Sequence, residues 1–342
     1  MAGIDFSTDK SIYDNRQTQR VVPVVKATEE INSAFTVEQE GPRYLVQGRA
    51  FDKDPYDEIN GEIEDFKQGQ IGDCYLLSSL YSLSRTTEGA VQLKNNIKKN
   101  ENSYTVTLPG ALAVADDFKS DKLISSIRGH YVITRAEFDE AVRSGEYVKN
   151  DPDVILYELA FEKYREDVLA TNEANGHVDD QYVGSGTIAD PLEGGWTSDS
   201  NFILTGEKSM QYNGNYEKSL EVPTYQIQSV DPTTYDYVNS ERLSSLLDKK
   251  MNDEDRYSMT ISFKLGLGAG KHGNHALSIK RVDEENIYIV NPWDTSKEHA
   301  MSRKTFLNSA YRVSIQDTES NMFSKCMDMF EDTKYIIKEY FQ

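Results

Sequence analysis

The spacing of the apolar residues changes along this chain, and that change is the tightest constraint on its fold. In the first part, apolar positions recur three and four apart, as on one face of a helix. "DCYLLSSLYSLSR" aligns Leu76, Leu77, Leu80 and Leu83, with Asp73 placed to cap the start. "DPDVILYELAFEKYREDVLA" (151–170) opens beside a proline and keeps the helical spacing. "NSYTVTLPG" (102–110) predicts one strand ending in a turn, and "DPLEGGWTSDSNFILTG" (190–206) is rich in turn residues. "SERLSSLLDKKM" (240–251) predicts a helix. Alternation then takes over: "RYSMTISFKLG" (256–266), "HALSIKRVD" (275–283) and "NIYIVNP" (286–292) read as strands joined by short turns. "SRKTFLNSAY" predicts a helix and "YRVSIQ" a last strand. Helices first and antiparallel strands afterwards predict an α+β fold, with a boundary near 215 and a cleft between the halves. The chain divides into a polar arm or pro-segment (1–45), a helical part (46–215), a sheet part (216–316) and a tail (317–342). In the tail, Phe323, Met327 and Phe330 share one face of a possible packing helix.

Composition narrows the function classes. The net charge of −20 argues against nucleic acid or an anionic membrane as partner and is compatible with cation binding. Two cysteines, Cys74 and Cys326, make no disulfide framework. No run approaches the roughly 18 apolar residues of a transmembrane helix. The first residues, "MAGIDFSTDKSIYDNRQTQR", hold no apolar core and do not read as a secretory signal. A cytoplasmic protein is expected, or one exported without a cleavable signal as effectors and toxins are.

Cys74 sits at the first turn of its helix, where exposed N–H groups favour a thiolate. A buried structural thiol is the plainer reading of one cysteine. Nucleophilic work needs a base and an orienting acceptor. Of the five histidines, His130 precedes a strand-like stretch, His177 and His299 lie in polar turns, and His272 lies in a glycine-rich loop. His275 opens a strand, and sixteen residues later Asn291 ends the next one. A hairpin would set the two side by side, so that the asparagine oxygen orients the imidazole. Trp293 could cover that bond. Gln68, six residues before Cys74, could donate to an oxyanion, and Gly72 would let a substrate backbone come close.

These stretches resemble the calpain family of cysteine proteases. "QGQIGDCYLL" is similar to the segment around that family's nucleophile, "NHALSI" to that around its histidine, and "NPW" to that around its asparagine. "ILYELAFEKY" (155–164), "PLEGGWTSD" (191–199) and "MSRKTFLNSAYRVSI" (301–315) also match, so the resemblance runs over about residues 45–315 in order. It implies a papain-like protease core that hydrolyses peptide bonds in protein or peptide substrates through a thiolate–imidazolium pair and an acyl-enzyme. Cys74 would be the nucleophile, His275 the base and acid, Asn291 the orienter, Gln68 an oxyanion donor with the Cys74 N–H, and Trp293 the shield. Gly195 and Asn274 would line the substrate cleft. Tyr75 stands where the family usually has tryptophan, and Asn274 and Asp294 stand where it usually has glycine. The chemistry requires no cofactor. The resemblance implies a first calcium site from Asp65 and Glu158, whereas "DTSKEHAMSRK" is too short and basic for a second. A calcium-independent core stays open. So do a calpain-fold module that binds without cutting, and a transglutaminase or deamidase on the same three residues.

Overall fold

A computed structural model describes residues 54–120, 122–176, 190–213, 235–266, 272–310 and 312–319. The arm, His177 and the tail from 320 onward, with Cys326 and its apolar face, lie outside the described residues. The elements run α1 (Pro55–Glu58), α2 (Cys74–Ser84), α3 (Thr87–Asn96), β1 (Ile97–Lys99), β2 (Ser103–Thr107), α4 (Pro109–Ser120), β3 (His130–Thr134), α5 (Arg135–Ser144), α6 (Pro152–Ala174) and α7 (Thr197–Thr205). They continue with β4 (Ser209–Asn213), β5 (Tyr235–Val238), α8 (Ser240–Asn252), β6 (Tyr257–Gly266), β7 (His272–Val282), β8 (Asn286–Val290), β9 (Glu298–Ser302), α9 (Arg303–Ser309) and β10 (Arg312–Asp317). The fold is α+β, with a small antiparallel sheet β1-β2-β3 and a larger sheet ordered β5-β4-β10-β6-β7-β8-β9. Only the β4–β5 pair among these is parallel. Among the described residues no helix is long and apolar enough to cross a membrane.

The large sheet begins before the expected boundary, because β4 pairs with β10. His299 lies on β9 rather than in a turn. α3, α4 and α5 are helices that apolar spacing did not single out. Local chemistry starts two of them: Thr86 accepts the Gly89 N–H, and Thr134 with Glu137 makes a capping box. α6 starts as its sequence predicts, with Pro152 in the first turn and the Asp151 carboxylate accepting the N–H groups of Asp153 and Val154.

The buried side chains form two clusters. One gathers α2, α6 and the small sheet, and includes Ala276 and Val290 from the large one. The other, with Leu277, Ile279, Ile287 and Ile289, lies between the large sheet and α8 and α9. Alternation along β7 therefore turns Ala276 towards α2 and Leu277 away from it. Leu76, Leu77, Leu80 and Leu83 are fully buried, each stabilising the fold by about 1.5–3 kcal/mol. Serines stitch α2 to the strands beneath it. Ser82 donates to Met259 O (2.9 Å) and accepts from Met259 N (2.8 Å), and Ser278 donates to Ser78 O (2.8 Å).

A second seam joins the segment before α2 to the turn after β8. The Gln68 N–H bonds Pro292 O at 2.8 Å. Thr295 exchanges bonds with Phe66, accepting its N–H (2.7 Å) and donating its own N–H and hydroxyl to its carbonyl (both 3.0 Å).

Candidate active site

Cys74 is the first residue of α2, His275 lies near the start of β7, and Asn291 directly follows β8. The β7–β8 register pairs Ser278 with Val290, so the next residue, Asn291, comes opposite Leu277, two positions from His275. The hairpin expectation holds: His275 Nε2 lies 2.9 Å from Asn291 Oδ1. The same Asn291 atom accepts the Trp293 backbone N–H at 3.0 Å. A backbone N–H only donates, so that atom is the oxygen and His275 Nε2 carries the proton. Nδ1 remains as the basic nitrogen. The Trp293 ring stacks on the imidazole, with centroids 4.5 Å apart and planes tilted by 35°. The Ala276 N–H bonds the Cys74 sulfur, placing the thiol against β7 beside His275.

Burial sets the protonation of this pair. It pushes the Cys74 thiol up to about 11, although the N–H groups of Ala276 and Tyr75 pull it down; the charges of Asp73 and Glu193 add to the rise. It pushes His275 down to about 4, against the pull of the Asn291 bond. The N–H groups expected to favour a thiolate are represented by that of Tyr75, and desolvation opposes their pull. Both shifts favour the uncharged forms, thiol and imidazole.

Gln68 is buried, and its Nε2 donates to Ile71 O (2.8 Å) and Asp73 Oδ1 (3.0 Å). Both amide protons are thus engaged. Asp73 does not cap α2 with its side chain. Its carboxyl instead meets Gln68 and hydrogen-bonds Glu158 from α6, and neither acid is exposed. Glu158 also accepts the Val148 N–H, at 2.9 Å for the nearer oxygen. Asp65 lies on the surface and pairs with Arg85 at 3.4 Å. Asp65 and Glu158 therefore do not fit a shared calcium site: one carboxylate is held by a guanidinium, the other by a buried carboxyl and an amide. Among the described residues no three His, Cys, Asp or Glu side chains gather to hold a metal.

The segment before α7 packs on the start of α2. Gly195 packs so tightly on Tyr75 that a Cβ there would come within 2.6 Å of the ring. Arg165, buried on α6, donates to the Tyr75 hydroxyl, to Leu192 O (3.2 Å) and to Gly194 O (2.7 Å). The space above Gly72 is filled by the Glu193 carboxylate, which accepts the Gly72 N–H at 3.0 Å, instead of standing open to a substrate backbone. Asn274 lies on β7 opposite Lys264 of β6. Sequence reasoning missed the roles of Asp73, Arg165 and Glu193. Only Arg165 left a signal, as a charge four residues from Phe161 and three from Val168 on a buried helix face. Compared with known proteins, the chain matches no protein-family model and no curated protein.

Proposed function

We propose that this chain is a calpain-like cysteine endopeptidase with a papain-like site, acting on protein or peptide substrates held between its helical and sheet parts. The observation that carries the proposal is the His275–Asn291 bond beside a thiol seated on the Ala276 N–H. It unites three side chains from the start of a helix, a strand and the turn after the next strand. In the reaction, His275 Nδ1 takes the Cys74 proton as the sulfur attacks the peptide carbonyl carbon. The C–N bond then breaks, and Nδ1 gives its proton to the departing amine. Water, deprotonated by the same nitrogen, hydrolyses the acyl-enzyme and restores the thiol. Proton transfer inside the pair leaves its net charge unchanged, which suits a partly buried thiol beside a buried imidazole. Asn291 keeps the imidazole in the tautomer that this needs, and Trp293 excludes water from their bond. For Gln68 to stabilise the oxyanion with the Cys74 N–H, one amide proton must leave Ile71 O as substrate enters. Gly195 and Asn274 would flank the bound peptide.

Intact-mass analysis after exposure to an epoxide inhibitor of cysteine proteases tests this. One adduct is expected on the wild type and none on Cys74→Ala. Casein cleavage should fall at least about a thousandfold in His275→Ala. Labelling should be equal with calcium or a chelator, since Asp65 and Glu158 are already engaged. No adduct together with intact casein would sink the proposal.

A further inference from the structure

Glu193 is the acidic side chain that bonds the segment leading into Cys74. Its carboxylate accepts the N–H of Gly72, two residues before the nucleophile, and Gly72 O accepts the Gly194 N–H. This two-bond clasp fixes an exposed carboxylate at the rim of the candidate site. Arg165 holds the same segment from inside through Leu192 O and Gly194 O, so the position is braced on both sides. The charge of Glu193 reaches the nucleophile, being among those that hold up the Cys74 thiol and the Asp73 carboxyl. An arriving group with a positive charge would be attracted there, and one with a negative charge repelled.

We propose that Glu193 makes Cys74 selective for substrates carrying a lysine or arginine beside the bond to be cut. The proposal rests on the endopeptidase reading for its substrate, but its electrostatic core can be tested without turnover. Two methanethiosulfonates of similar size, one ending in an ammonium and the other in a sulfonate, report the charge preference at the thiol. In the 342-residue chain the ratio of their rates at Cys74 should fall roughly three- to tenfold in Glu193→Gln and invert in Glu193→Lys. Glu193→Gln keeps an acceptor for the Gly72 N–H, so it is not a folding probe. Glu101→Gln, on the exposed β1–β2 turn, makes the same change in net charge and should leave the ratio unmoved. An unchanged ratio in Glu193→Gln, or an equal fall in Glu101→Gln, would overturn the proposal. Peptides with arginine, glutamine or glutamate scanned around the cut should show the same order in kcat/KM. If the thiol ratios behave as expected while the wild type cuts no peptide, the charge selectivity stands and the endopeptidase reading fails.

Discussion

Two carboxyl groups that hydrogen-bond each other must hold a proton between them. Asp73 and Glu158 form such a pair without exposure to water, and Asp73 Oδ2 is reached by no donor group among the described residues. Burial pushes Asp73 up to about 7, offset in part by Glu158 and Gln68, while burial and the Asp73 charge hold Glu158 well above the usual carboxylate range. The charges nearby are acidic too: Glu193 acts on Asp73, and Glu162 lies one turn along α6 from Glu158. The pair bridges α6 to the residue before the nucleophile and orients Gln68. Glu158→Gln keeps a donor for Asp73 and an acceptor for the Val148 N–H, and should stay within about 1 kcal/mol of wild-type stability in urea unfolding. Glu158→Leu leaves the Val148 N–H without its acceptor and Asp73 with Gln68 alone, and should cost about 3–5 kcal/mol. Equal losses in the two variants would show that shape alone matters there. The family resemblance implied Glu158 as a calcium ligand, because a carboxylate on a mostly apolar helix has two meanings, metal ligand or buried partner. Only the position of Asp73, eighty-five residues away, decides between them.

At the scale of elements, α2 shows how far periodicity carries and where it stops. Its leucines announced a buried helix, and they are fully buried. The Ser82 hydroxyl ties it to β6, and the Ser78 backbone carbonyl accepts the Ser278 hydroxyl of β7. A serine on a helix is also what a solvated face shows, so nothing local marks the Ser82 hydroxyl as a stitch to a strand 177 residues away. The hairpin was legible for the opposite reason: β7 and β8 are neighbours in sequence, and alternation fixed their register closely enough to pair His275 with Asn291. The Gln68–Pro292 and Phe66–Thr295 seam was not legible, since backbone bonds leave no trace in side-chain pattern. Ser82→Ala strips partners from the Met259 N–H and carbonyl and should cost about 2 kcal/mol in urea unfolding. Ser84→Ala, where the hydroxyl bonds only Tyr81 O within the same helix, should cost under about 1 kcal/mol. A Ser82 loss no larger than that of Ser84 would mean that leucine packing alone seats the helix.

For the whole molecule, buried acids outweigh buried histidines in setting how stability follows pH. Burial raises Asp73 and Asp153 to about 7 and Asp151 to about 6, and raises Glu158 as well. Such a group binds its proton more tightly folded than unfolded. Its contribution is therefore complete below the ordinary carboxylate range and is lost as pH rises through the folded value. Burial lowers His275 to about 4 and also lowers His299, so they act in the opposite sense and lose stability as pH falls below about 6.5. Lys250, lowered to about 8 by burial, changes the balance above that value. The lowered acids Asp294 and Glu298 bring a loss only below about pH 4. Between pH 8 and 5.5 the folded chain thus takes up more protons than the unfolded one, and acidification also relieves the self-repulsion of a net charge of −20. Stability should rise over this interval by about 1–3 kcal/mol, seen as a melting temperature several degrees higher at pH 5.5 than at pH 8. Asp153→Asn removes one contributing proton while leaving an oxygen for the Gly61 N–H, now bonded at 2.7 Å, so its melting temperature should depend less steeply on pH. A wild-type melting temperature that falls steadily from pH 8 to 5.5 would mean that these acids ionise freely in the fold, and that the dry carboxyl pair beside Cys74 is wet.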